Sequence, residues 1–180
     1  MDILKLIFCL VVIIVVILFI YAIIHNKIKG QILKINAAEN QIDESLRNKF
    51  DLLTKLIAEI TQLDKDNKDF LEFENIKDEN LSSFEFERKL KDVEAKIYTF
   101  KNENSKVSKD ENFNNIWYEI TNLNTKIKGE EKYYNENTTI YNNLVSKFPS
   151  NIISKILRLK EKYYFDGKDM NDDNKKDFKI

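Results

Sequence analysis

Few residues in this chain could do chemistry, and where they fall along it decides what they can do. The one histidine, His25, and the one cysteine, Cys9, lie beside and within an apolar run, Leu6–Ile24. A histidine-based triad or a Cys/His zinc site in an aqueous domain cannot be assembled from these two within one copy. A Glu-x-x-His ligand set of the kind used by di-iron bundles is excluded for the same reason. The three glycines, Gly30, Gly129 and Gly167, are too scattered to cradle a phosphate. In the acidic tail, Asp169, Asn171 and Asp173 share the spacing that opens a calcium loop. Asn174 replaces the required glycine there, and Ile180 falls where a bidentate glutamate is needed. The tail, residues 167–180, is therefore expected to be a solvated, mobile terminus. Glu39 and Lys49 on one helical stripe, with Glu130 and Asn137 on another, could form a polar pocket, although such residues more often set helix register. No catalytic residue, metal site or cofactor is expected, and the chain reads as a non-enzyme.

The elements around these residues are unusually plain. Three Gly and one Pro in 180 residues predict long elements with few tight turns. With 29 basic and 30 acidic residues the charge is balanced, which argues against a nucleic-acid binder. The run LIFCLVVIIVVILFIYAII has no charged residue and, as a helix, spans roughly 28 Å, close to the thickness of a bilayer core. It is longer than a signal-peptide core and lacks a small-residue cleavage pattern after it. Residues 6–25 are accordingly read as a retained transmembrane helix behind a short flank, residues 1–5. Lys27, Lys29 and Lys34 follow the span against Lys5 before it, which places the amino terminus outside and the remainder in the cytoplasm.

Beyond the span the apolar residues recur at helical intervals. Ile28, Ile32, Ile35, Ile42, Leu46, Leu53, Leu56, Ile60 and Leu63 form one stripe, continuous with the span through Gly30. Residues 64–83 lose this period and are expected to be a loop or short irregular helix. Ser82 and Glu85 have the spacing of a capping box, and Phe86, Leu90, Val93, Ile97 and Phe100 follow on one face, extending towards Val107. Ser108 and Glu111 repeat the box. The heptad series Phe113, Ile120, Ile127, Tyr134, Tyr141, Phe148 then runs to Pro149, which stops the helix. A fourth helix is expected from Ser150 or Asn151 to near Gly167. The joint solution is an all-α fold: one transmembrane helix followed by an antiparallel up-and-down four-helix bundle with long helices. That alternation would gather residues 64–83, Pro149 and the fourth helix at the membrane-distal end.

Two ordered patterns then stand out. The first is Gln41-Ile42-Asp43 through Leu46, Arg47, Lys49, Phe50, Asp51, Leu52 and Leu53, with Leu56 and Ile57. The second is Tyr134-Asn135, Tyr141-Asn142, Val145, Phe148-Pro149 and Asn151, followed by Tyr164-Phe165. In this order, and behind an N-terminal span, they resemble the LemA family of bacterial membrane proteins over nearly the whole chain. Thr54 stands where that family often has proline, and Gly129-Glu130 where it often has Ala-Arg. The resemblance implies a helical bundle, here residues 26–166, on a membrane anchor whose amino terminus faces outward. It implies no established activity.

Function is therefore expected to be interaction rather than catalysis. The leading expectation is a membrane-tethered scaffold that docks a protein partner through Asp43, Arg47 and Asp51 of the first helix with Asn142, Pro149, Asn151 and Arg158 of the distal turn. The alternative is a bundle that binds a lipid or small effector in a tyrosine-lined pocket between helices. Heptad stripes serve intra- and intermolecular packing alike, so a homo-oligomer is compatible with the pattern. Lys155, Arg158, Lys160 and Lys162 give the fourth helix a basic amphipathic composition suited to a membrane surface. A distal position would hold it tens of ångströms from the bilayer.

Overall fold

A computed structural model describes residues 3–65, 69–70, 73, 76 and 81–165. Five helices follow in order: α1 (Ile3–Leu63), α2 (Ser83–Glu103), α3 (Ser105–Lys109), α4 (Glu111–Ser146) and α5 (Ser150–Ile156). The tail and its calcium-like spacing lie outside the described residues. The chain forms two compact units. One is built from the described residues of 1–37 with 134–164, the other from those of 38–133 with Phe165.

The apolar stretch and the amphipathic stretch are one uninterrupted helix, α1. It passes through Gly30, where a helical glycine costs about 1 kcal/mol relative to alanine and has no neighbour within 4 Å to explain it. The first part of α1 is long and apolar enough to cross a membrane. Further along, the expected stripe is the one that is buried: Ile28, Ile35, Ile42, Leu46, Leu53, Leu56 and Ile60 are all almost fully enclosed.

Within the second unit, α2 starts beside the middle of α1. Ser83 meets Asp43, Phe86 lies against Phe50 and Glu94 against Lys49, so residue numbers rise together and the two helices point the same way. Lys101 over Trp117, Asn124 on Glu94 and Lys91 beside Glu131 show that α4 runs opposite to α2. The expected strict up-and-down alternation is thus replaced by a return of the chain between α1 and α2. The reason lies in residues 64–82. Asp43 to Leu63 measures about 30 Å of helix, a distance that a chain of this many residues is long enough to retrace. Phe70 and Phe73 on that segment are buried, Phe70 edge-on to Phe100 at 6.1 Å and Phe73 stacked on Phe50 at 4.8 Å.

Local signals settle the helix ends. Ser82 and Glu85 form the expected reciprocal capping box. The second box does not form. Asn104 ends α2 and its side chain caps α3, where Val107 is buried, and Asp110 rather than Ser108 accepts the Phe113 N–H at 2.7 Å to start α4. The fourth helix is also shorter than expected and stops at Ile156. Leu159 N–H donates to Ser154 O and Arg158 N–H to Lys155 O, with Arg158 in the left-handed region at φ 54, which is a Schellman stop. Residues 158–165 continue without helical structure as a strap.

Candidate functional site

Spacing of four places Asp43, Arg47 and Asp51 on one face of α1. In the second unit that face, the start of α2 and the returning segment enclose a cleft of about 300 Å³. Its lining adds Phe50, Phe86, Ser83, Ile76 and Leu81 to the three charged residues. Phe50 and Phe86 have ring centroids 6.0 Å apart and supply apolar surface. The Asp43 carboxylate accepts the Ser83 hydroxyl. One residue earlier, the Ser82 hydroxyl and backbone N–H hold the Glu85 carboxyl below its ordinary range. Arg47 and Asp51 are exposed, and Arg47 has no ion-pair partner among the described residues. A guanidinium left open beside aromatic surface can take a carboxylate in a bidentate grip while an apolar side chain fills the cleft.

The core of the same unit carries charge. Lys49, 2% exposed, meets Glu94 Oε2 at 2.6 Å, and Asn124 Nδ2 donates to Glu94 Oε1 at 2.6 Å. One residue from each of α1, α2 and α4 is thereby tied together. A second cluster joins Glu87, Lys91 and Glu131. Burial, and then the hydrogen bond and charge of Glu87, push the Glu131 carboxyl up to about 8, against the pull of Lys91 at 4.0 Å and of Lys128. Glu131 therefore keeps its proton at neutral pH while Glu87 pairs with Lys91. Among the described residues no group of three or more His, Cys, Asp or Glu is placed to hold a metal.

Of the four residues expected to form a polar pocket, Glu39, Lys49 and Glu130 lie in the second unit and Asn137 in the first. Lys49 turns to Glu94, Glu130 to Lys126 at 3.6 Å, and Glu39 is half-buried. In the first unit, Gln31 Nε2 donates to Asn137 O at 2.9 Å and to Asn137 Oδ1 at 2.7 Å.

The four remaining candidates, Asn142, Pro149, Asn151 and Arg158, lie in the first unit, and Asp43, Arg47 and Asp51 in the second. Residues 134–164 cluster with the segment that bears the apolar stretch. Asn142 is occupied. Its Oδ1 accepts the Lys162 N–H at 2.8 Å and its Nδ2 donates to Lys162 O at 2.9 Å, so the amide grips the strap as a neighbouring strand would. Tyr141 donates its hydroxyl to Lys160 O at 3.0 Å, and burial raises its pKa. Pro149 opens α5, the Asn151 N–H donates to Lys147 O, and the Arg158 backbone closes the helix. Tyr134 and Tyr141 bury their rings as the heptads require, but Phe148 is 79% exposed because α4 has already ended.

The cleft has members the pattern did not single out, Ile76 and Leu81. Their signal was the scatter of apolar residues, Phe70, Leu71, Phe73, Ile76 and Leu81, within a segment that is mostly polar. The family model described as LemA family matches residues 38–179, which takes in both units but not the apolar stretch. No curated protein and no solved structure matches the chain.

Proposed function

Since the chain belongs to the LemA family, and its first helix is long and apolar enough to cross a bilayer, we propose that it is a single-pass membrane-anchored interaction module without catalytic activity. Its docking surface is the cleft that holds Asp43, Arg47 and Asp51. The observation that carries this reading is the exposed Arg47, without an ion pair among the described residues, beside Phe50 and Phe86 in one cleft. The ligand that fits is a protein segment with a large apolar side chain and a nearby carboxylate. The basic residues after the span, Lys27, Lys29 and Lys34, support a cytoplasmic position for this cleft. Binding of a lipid or small effector between the helices has less support, because Tyr134 and Tyr141 are packed into the seam.

In-cell photocrosslinking from a photoreactive residue at Asp51 tests the reading. A specific adduct should form in the parent and be lost when Arg47→Glu is added, while the membrane level of the protein is unchanged. The same adducts in both, or none in either, refute the docking role of the cleft.

A further inference from the structure

Besides the apolar run of α1, the first unit exposes apolar side chains at and just before α5. Phe148, Ile152, Ile156 and Leu157 are 79%, 52%, 67% and 37% exposed, while Ile153, Ser150 and Ser154 on the other side of α5 are buried. Around this face the chain from 147 to 162 carries five cations, Lys147, Lys155, Arg158, Lys160 and Lys162, against one carboxylate, Glu161. An exposed apolar ridge set in positive charge is the composition of an element that lies in the headgroup layer of an anionic membrane.

Position within the unit supports the same occupant. Gln31 holds Asn137, and seven residues of helix, about 10 Å, separate Gln31 from Ile24 at the end of the apolar run. Ile28 is buried and Ile24 and His25 are half-buried, so this stretch of α1 is covered. Only residues 134–136 of the unit precede Asn137, so the cover comes from the residues after it, and α4 runs down α1 towards the apolar run. Seven residues past Asn137 is Leu144, which puts the end of α4, and α5 beyond it, at the level of Ile24, where the apolar run ends.

We propose that α5 seats its Phe148, Ile152 and Ile156 face on the surface of the anionic bilayer that α1 crosses, with Lys155 and Arg158 at the phosphates. The unit is then held at two points, one through the membrane and one along it. The expectation that a distal position keeps this basic segment away from lipid does not hold in this arrangement.

The full chain reconstituted in nanodiscs tests the assignment. A fluorescent label at Ile156→Cys, in a Cys9→Ala background, is compared with one at Leu33→Cys, nine residues past the apolar run. With phosphatidylglycerol added to phosphatidylcholine, the label at 156 should be quenched by lipid-borne spin labels and protected from aqueous iodide, and the label at 33 should behave oppositely. Lys155→Gln and Arg158→Gln should each lower the lipid-seated fraction about fivefold. Equal iodide access at 156 and 33 in both lipids overturns the proposal. Protection from iodide without lipid quenching also overturns it, and assigns the face to a protein. Quenching that ignores lipid charge and both substitutions refutes the role of the cations.

Discussion

Replacing Glu94 with leucine should strand the Lys49 ammonium in the core. Lys49 is 2% exposed and its nitrogen lies 2.6 Å from Glu94, so the charge has little water to turn to when the carboxylate is removed. Breaking a buried pair from one side costs about 3–5 kcal/mol. Glu94 is itself 19% exposed, which admits some solvent and points to the lower end, about 3 kcal/mol. Asn124 also loses its acceptor, adding about 1 kcal/mol. For a chain of this size, each kcal/mol moves the melting temperature by about 2–4 °C, so a fall of roughly 10 °C is expected. The double variant Lys49→Met/Glu94→Leu removes both charges and should melt close to the parent or above it. Circular dichroism melts of the full chain in nanodiscs measure all three. A single variant within about 2 °C of the parent, or a double variant no more stable than the single, would refute the account of Lys49 as a charge kept in the core only by its partner.

Two further outcomes follow from the same structure. The Glu131 carboxyl is raised from 4.5 to about 8, so between these values the folded chain binds more protons than the unfolded one, and stability should fall as pH rises through that window. Glu131→Gln should flatten this dependence in melts taken across it, and parallel curves for the two proteins would remove Glu131 as the responsible group. Asn142→Ala deletes two hydrogen bonds to Lys162, about 1 kcal/mol each, and should free the strap. Trypsin cleavage at Lys160 and Lys162 should then accelerate about thirtyfold, with Asn142→Asp intermediate; unchanged cleavage would show that something else holds the strap.

The cleft was partly legible before the structure. Asp43, Arg47 and Asp51 share a helix face by spacing alone, because periodicity within one helix needs no partner to be read. The aromatic wall against them was not legible as such. Phe50 and Phe86 sit in different elements, and Ile76 and Leu81 lie in a segment whose composition reads as polar. Asn142, Pro149, Asn151 and Arg158 were legible as a pattern but not as roles. Asn142 holds a strap and Arg158 ends a helix, tasks defined by backbone groups that no side-chain pattern reveals.

By itself the sequence determined the three long helices, the apolar stretch, the buried stripes on α1 and α4 and the first capping box, since each depends on residues within a few turns of one another. The tertiary structure decided the direction of α2 and the fate of residues 157–165. An amphipathic stripe tells a helix which side to bury but carries no arrow, so either sense satisfies it until Phe70 and Phe73 dock and lead the chain back. Beyond Ile156 the local preference was for more helix, and it yields to hydrogen bonds that Tyr141 and Asn142 offer from another element.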